Sequence, residues 1–366
     1  MEDSRRYWVA FNLVCADRLA EARKIFEHFP SIEDVFKADR GELVGLGLEE
    51  ESALRITSPK ILDQASRDLE RIEKKKYTLI TVEDERYPSS LREIFDPPFV
   101  LYCAGEVGVL EEPAVSIVGA RKPSPYGRAV AERLAEDLAS RGLVVVSGLA
   151  RGIDSMAHWG ALKRGRTVAV LGSGLANVYP RENRPLFQKI VESGAVISEF
   201  PLDAQPLGFH FPVRNRIIAG LSLALIVVEA AQRSGSLISA HLALEQNREV
   251  MAVPGNVTSP LSRGTNWLIK AGAKLVEGWE DVAEEFPSPL KERLLAQREE
   301  KREAQLPEDE REKRVLLCLQ HDSLTHIDEL VEKAGLSVSE LLAILLNLEL
   351  RGLISQSPGK YFQRKM

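Results

Sequence analysis

The chain has 366 residues, 44% hydrophobic and 28% charged, which describes an ordinary soluble protein long enough for two or three domains. A net charge of −6 and a pI near 5.7 exclude wholesale polyanion binding, so any nucleic-acid surface has to be a local patch. No apolar run approaches a membrane span, Met1 to Arg6 is polar, and Cys15, Cys103 and Cys318 lie far apart with no CxxC, so a cytoplasmic protein with no membrane association, disulfide framework or zinc site is expected.

Residues 5 to about 74 read as several short helices with their own start signals. The spacings of Ser31 with Asp34 and of Asp39 with Glu42 fit N-caps or capping boxes. Gly45-Leu46-Gly47 is a glycine turn of the kind that can hold a DNA phosphate on backbone amides. Glu49-Glu50-Glu51 follows at once and repels one, so a small helical domain is the favoured reading and an accessory DNA contact the lesser one. Residues 77 to 114 form a proline-dense connector, with a strand-like Thr78 to Val82 and Phe99 to Tyr102, that leads into or packs on the edge of the next domain.

From Val115 to Val276 one pattern repeats: a short apolar run, a Gly/Ser/Arg-rich loop, then an amphipathic segment. The runs start at Val115, Leu143, Thr167, Ala195, Leu223, Glu249 and Lys274. Runs this short and rich in Val and Ile, alternating with helical segments, indicate buried parallel strands in a doubly wound α/β sheet. In such a sheet the ligand sits outside the carboxyl ends of the strands, in the loops that follow them. These loops carry Gly119 with Arg121 and Lys122, Ser147 and Gly148 with Arg151 and Gly152, Gly172 and Gly174, Arg214-Asn215-Arg216, and Ser234-Gly235-Ser236. Glycines admit close approach of an anion, helix N-termini offer free N–H groups, and arginines add bidentate charge-assisted bonds. A phosphate-bearing ligand follows, because tight turns alone do not require the arginines.

The ligand is not a dinucleotide or a nucleoside triphosphate held by a P-loop. GARKPSPYG after the first run is not GxGxxG, the second run ends in Ser147-Gly148 without a ribose-binding acid, and no GxxxxGK[ST] occurs. No cofactor is expected. Phosphate loops interleaved with Tyr126, Tyr179, Phe209 and Phe211 fit single-stranded nucleic acid, which is bound by a positive groove with aromatic stacking faces. Arg121, Arg214, Arg216 and Phe211 are the strongest candidates. Asp154 reads as a helix N-cap, and Trp159 and Trp267 as core.

Residues 281–312 carry Pro287, Pro289 and Pro307 around a Glu/Arg/Lys-dense stretch and read as a charged linker. Residues 313–366 then give three amphipathic helices, Arg314 to Gln320, Ile327 to Ala334 and Val338 to Leu350, followed by a small hairpin, the pattern of a winged helix. The third helix exposes Ser339, Glu340, Asn347, Glu349 and Arg351, with little positive charge. A regulatory or protein-contacting module is at least as well supported as a duplex reader, and Lys360, Arg364 and Lys365 keep a weak DNA role open.

The ordered succession SIVGARKPSPYG, VVSGLARGID, AVLGSGLANVYP, SEFP, FPVRNRIIAGLS, VVEAAQRSGSLISA, AVPGN and SRGTNWLIKAGA closely resembles the DNA-processing protein A family, DprA or Smf. The resemblance implies a Rossmann-like core over 77–280 between a helical, SAM-like or helix-hairpin-helix-like domain over 1–76 and the winged-helix domain. It also implies a protein without catalytic activity that binds single-stranded DNA, works as a homodimer and loads the recombinase RecA during natural transformation. The family's pocket arginine falls on Arg121, its arginine-bearing loop on Arg214-Asn215-Arg216 and its base-contacting aromatic on Phe211. Some relatives have a lysine just before that aromatic; here Gly208-Phe209-His210 takes its place, so that phosphate contact is weakened or supplied elsewhere.

The rival class is an enzyme, a nucleotide phosphoribohydrolase on a related sheet, whose mark is PGGxGTxxE. Ala230 to Glu245 lacks that motif, and Glu199 and Glu229, the acids that could act as bases, have no nucleophile or paired carboxylate beside them in sequence.

Overall fold

Two segments of the connector open the main sheet: β1 (Thr78–Thr81) and β2 (Val100–Gly105) pair antiparallel, and β2 continues antiparallel onto β6 (Ala195–Ser198). The seven apolar runs are all strands: β3 (Ala114–Val118), β4 (Val144–Ser147), β5 (Thr167–Val170), β6, β7 (Ala224–Val227), β8 (Glu249–Ala252) and β9 (Lys274–Leu275). The order is β1-β2-β6-β5-β4-β3-β7-β8-β9, with β6 through β9 parallel throughout. Strand order therefore reverses at β3 and β7, and the carboxyl ends of these two strands frame the crevice in which a doubly wound sheet takes its ligand. The computed structural model describes residues 2–296, 309–320 and 323–364.

Both faces of the sheet are covered, as the continuous apolar runs require. Successive side chains point to opposite faces. Val168 and Val170 of β5 join one core cluster, with Ile197, Val227 and helical residues such as Ile217, whereas Ala169 joins the other. That second cluster also contains Trp8, Phe11 and Ile25 of the N-terminal helices together with Val100, Tyr102 and Ala104 of β2. The boundary expected at 76/77 thus separates helical from sheet architecture without separating two cores.

The chain divides into two compact units, Met1–Pro287 and Ser288–Met366. This moves the start of the expected linker. Residues 281–287 belong to the sheet unit because the helix Trp279–Glu284 and the following turn bury Trp279, Val282 and Phe286 in it. Residues 297–308 of the expected linker, Pro307 among them, and Lys365 lie outside the described residues.

The caps read from the spacings near the N-terminus form as the sequence implied. Ser31 Oγ accepts from Asp34 N–H and Asp39 Oδ1 from Gly41 and Glu42 N–H, each capping a short helix. Ser124 accepts from Gly127 N–H, with Pro125 in the first turn of the helix Pro125–Ala139.

In the second unit, helices Glu310–Leu317, Ile327–Ala334 and Val338–Leu350 pack on a three-stranded sheet, ordered β10 (Thr325–His326), β12 (Tyr361–Arg364), β11 (Ile354–Ser357). Ser337 and Glu340 form a reciprocal capping box, and Gly335, at φ 65°, closes the preceding helix. This is a winged helix with its own core of Val315, Leu330, Leu341, Leu345, Leu348 and Phe362. No described helix is long and apolar enough to cross a membrane.

Candidate nucleic-acid interface

A crevice of about 410 Å³ opens at the reversal of strand order, lined by residues after β3 (Gly119, Arg121), after β4 (Ala150, Asp154), after β7 (Ser234, Gly235, Ser236, Ile238) and by Phe211, Arg214 and Asn215. A smaller cavity beside it is lined by Arg121, Gly148, Arg151, Tyr179 and Phe211. Thus the crossovers gather residues from four separate segments at one sheet edge.

Phe211 and Arg214 do not sit on a loop, as the sequence reading placed them. They occupy the first turns of the helix His210–Gly220, which crosses from β6 to β7. The half-buried Phe211 ring lies against Gly172, where an added Cβ would come within 2.8 Å of ring atom Cδ1. Gly172 thus acts by making room for the aromatic. The Tyr179 ring stands 5.7 Å from Phe211, and the exposed Arg121 guanidinium lies 5.5 Å from its centroid, within cation–π range.

Arg214 is only 4% exposed. Its Nη1 donates to the carbonyls of Gly148, at 2.7 Å, and Val170. Gly148 is required there, since a Cβ would meet the guanidinium at 2.6 Å. Burial pushes the Arg214 pKa down to about 10, opposed by the nearby Asp154 carboxylate, so the group stays cationic at neutral pH.

The loop of residues 147–152 is held from below. Asp154 accepts from the N–H groups of Gly148 and Ala150, His158 Nε2 accepts from Leu149 N–H, and Asn183 Nδ2 donates to Leu149 O. These contacts keep Leu149 at φ 53°, a conformation costly for a branched side chain. Burial above all raises the Asp154 pKa, with Arg214 opposing. Asp154 lies inside the helix Ile153–Leu162 whose N-cap is Gly152, so it ties down the loop instead of capping.

Several expected residues sit elsewhere. Arg216 is 6% exposed and forks Glu199 at 2.8 and 2.5 Å, because the helical repeat turns it away from the crevice onto the loop after β6. Ser147 spends its hydroxyl on Ile117 O at 2.7 Å, fully buried between strands. Gly174 is packed where a Cβ would meet the carbonyls of Pro201 and Leu202 at 2.1 Å, and Gly152, at φ 80°, serves the close approach of Ala120 O. Arg151, by contrast, stays on the smaller cavity, exposed and paired with Glu182, and Lys122 is exposed next to Arg121 on the loop after β3.

Trp159 and Trp267, expected in the core, are 39% and 60% exposed, because their helices turn those positions outward. The two acids considered as bases are both engaged, Glu199 by Arg216 and Glu229 by Ser124 N–H and Oγ. Among the described residues no group of three or more His, Cys, Asp or Glu could hold a metal ion.

Tyr179, named among the loop aromatics, lines the smaller cavity, whereas sequence reasoning missed Ile238 and Asp154 as crevice residues. The available signal for Ile238 was its place in the first turn after Ser234-Gly235-Ser236.

Fold and crevice together define a doubly wound α/β protein with an arginine- and aromatic-lined switch point and a separate winged-helix unit. The family model described as DNA recombination-mediator protein A matches residues 78–287, and that described as the DprA winged helix domain matches 299–360. The chain belongs to the DNA processing protein A family.

It is 42% identical to Protein Smf of Escherichia coli over 299 residues, covering 79% of this chain and 78% of that protein. It is 44% identical to DNA processing protein DprA of Bacillus subtilis over 210 residues, 57% and 71% of the two chains. Among solved structures, DNA processing protein A of Streptococcus pneumoniae superposes with a TM-score of 0.67 at 36% identity, covering 78% of this chain and 99% of that one. The Helicobacter pylori protein, whose structure is described as showing a single-stranded DNA binding mode, gives 0.52 at 30% identity over 62% and 97%.

Proposed function

We propose that this protein binds single-stranded DNA in the switch-point crevice, as a non-catalytic recombination mediator. The observation that carries the reading is Arg121 stacked over the half-buried Phe211, beside the buried cation Arg214, at the mouth of glycine-rich loops. Arg121 and Lys122 supply exposed charge for phosphates, Phe211 and Tyr179 supply ring faces for bases, and the helix that opens at Gly235, with Ser234 as its N-cap, offers N–H groups to a phosphate. Arg214 contributes a fixed field, because its Nη1 is already committed to two backbone carbonyls and its Nε to Asn215 Oδ1.

The relative from Helicobacter pylori described as binding single-stranded DNA supports the same ligand. Dimerisation, loading of RecA onto the bound strand and a part in natural transformation rest on family membership alone. The test is a titration with single-stranded and duplex oligonucleotides at several salt concentrations, without nucleotide. Tighter binding of the single strand, with a salt-dependent affinity, is expected. Equal affinity for duplex, or a need for ATP, overturns it.

A further inference from the structure

The N-terminal segment reaches the crevice helix at two points, once through Glu199 and once directly from Asp17, in the turn between two helices. Asn12 Nδ2 donates to Glu199 O at 3.0 Å while Glu199 forks Arg216, which fixes the middle of the helix His210–Gly220. Its first residue is fixed separately. His210, 2% exposed, stacks on Phe200 at 4.0 Å and 22° and reaches Asp17 Oδ1 with Nε2 at 2.8 Å. The other ring nitrogen, Nδ1, is buried with no hydrogen-bond partner. With a carboxylate at Nε2 and no acceptor at Nδ1, the neutral ring is assigned its proton on Nε2, donated to Asp17. The next residue in the chain is Phe211.

We propose that Asp17 is a positioning residue of the DNA crevice, acting through His210 to set where the Phe211 ring stands. The inference rests on the proposed single-strand reading and adds a task for the N-terminal helices, which hold the crevice helix in place from behind. Asp17 lines a cleft with Ala16, Arg18, Phe200 and His210, while Phe211 and Arg214 line the crevice. Asp17 therefore reaches the DNA only through the helix start. Without its acceptor, the His210 N–H is buried and unpaired, and the helix start shifts to find one. The Arg121–Phe211 stack, 5.5 Å between guanidinium and ring, is then lost.

The experiment measures single-strand affinity for the full chain carrying Asp17→Ala or Asp17→Asn, each with Phe211 intact and with Phe211→Ala. Asp17→Ala is expected to weaken binding roughly fivefold, the lower end of what one stacked base contributes, and to do nothing further once Phe211 is Ala. Asp17→Asn, whose amide oxygen still accepts from His210, is expected to bind like the parent. A general loosening of the fold lowers affinity equally in both backgrounds, and that result overturns the proposal. So does an unchanged affinity of Asp17→Ala when Phe211→Ala and Arg121→Ala both bind weakly. If Arg121→Ala and Phe211→Ala themselves bind like the parent, the crevice reading has failed and the positioning role falls with it.

Discussion

At the residue scale, arginines that look alike in sequence divide by burial. Arg121 is exposed over an aromatic face, whereas Arg216 is enclosed with Glu199. Arg121→Ala should therefore lower the slope of log affinity against log salt by about 0.7, the share of one phosphate on a single strand, and leave thermal stability unchanged. Phe211→Ala should cost about 1–3 kcal/mol of binding and leave that slope alone.

Arg216→Ala behaves in the opposite sense. It strands a buried carboxylate and should remove about 3–5 kcal/mol of folding stability, read by urea denaturation, with no change in salt slope. A lowered slope in that variant would return Arg216 to the crevice.

His158 gives a pH signature of its own. Wholly buried, with Nε2 accepting from Leu149 N–H and Nδ1 bonded to Thr167, it has its pKa pushed by burial from 6.5 down to about 3. The folded state therefore binds fewer protons than the unfolded state between these values. Stability present above pH 6.5 is lost as the pH falls toward 3, by about 1.4 kcal/mol per pH unit from this group. His158→Gln should flatten the stability profile between about pH 4 and 6 by one proton's worth. An unaltered slope assigns the acid sensitivity to other groups.

At the scale of elements, the crevice depends on how closely two helices approach. A Cβ on Gly160 of the helix Ile153–Leu162 would stand 2.1 Å from Glu132 O on the helix Pro125–Ala139. The first helix carries Asp154 and His158, which hold the loop of residues 147–152, and the second starts at the loop that carries Arg121. Gly160→Ala should force the pair apart, costing about 1–3 kcal/mol as overpacking does and weakening single-strand binding as well. Thermal melts and anisotropy titrations on the same preparations check both. Full affinity in a destabilised variant would show that the crevice tolerates movement of its supports.

At the scale of the whole molecule, the two units have separate cores. The arginine and aromatic residues proposed to hold DNA all lie in the first unit. A chain ending at Pro287 is therefore expected to fold, keep the helix Trp279–Glu284 packed, and retain most of its single-strand affinity. Loss of binding by a folded truncated protein would move the main DNA contact to the winged helix.

The sequence by itself determined the seven parallel strands, the glycine loops after them and the winged-helix pattern. These are encoded locally, in β-rich apolar runs of a few residues and in turn and cap residues next to them. It also marked Arg121 and Phe211, because a charged residue after a strand and an aromatic beside arginines are visible in a short window. Only the tertiary structure decided which arginine meets a carboxylate. Glu199 and Arg216 are 17 positions apart, and Arg214 and Arg216 look equivalent until the helix turns one toward the crevice and the other into the protein. The same reason separates Gly148, which makes room for a guanidinium, from Gly174, which makes room for backbone. Glycine in a loop records that something comes close, and the fold alone says what.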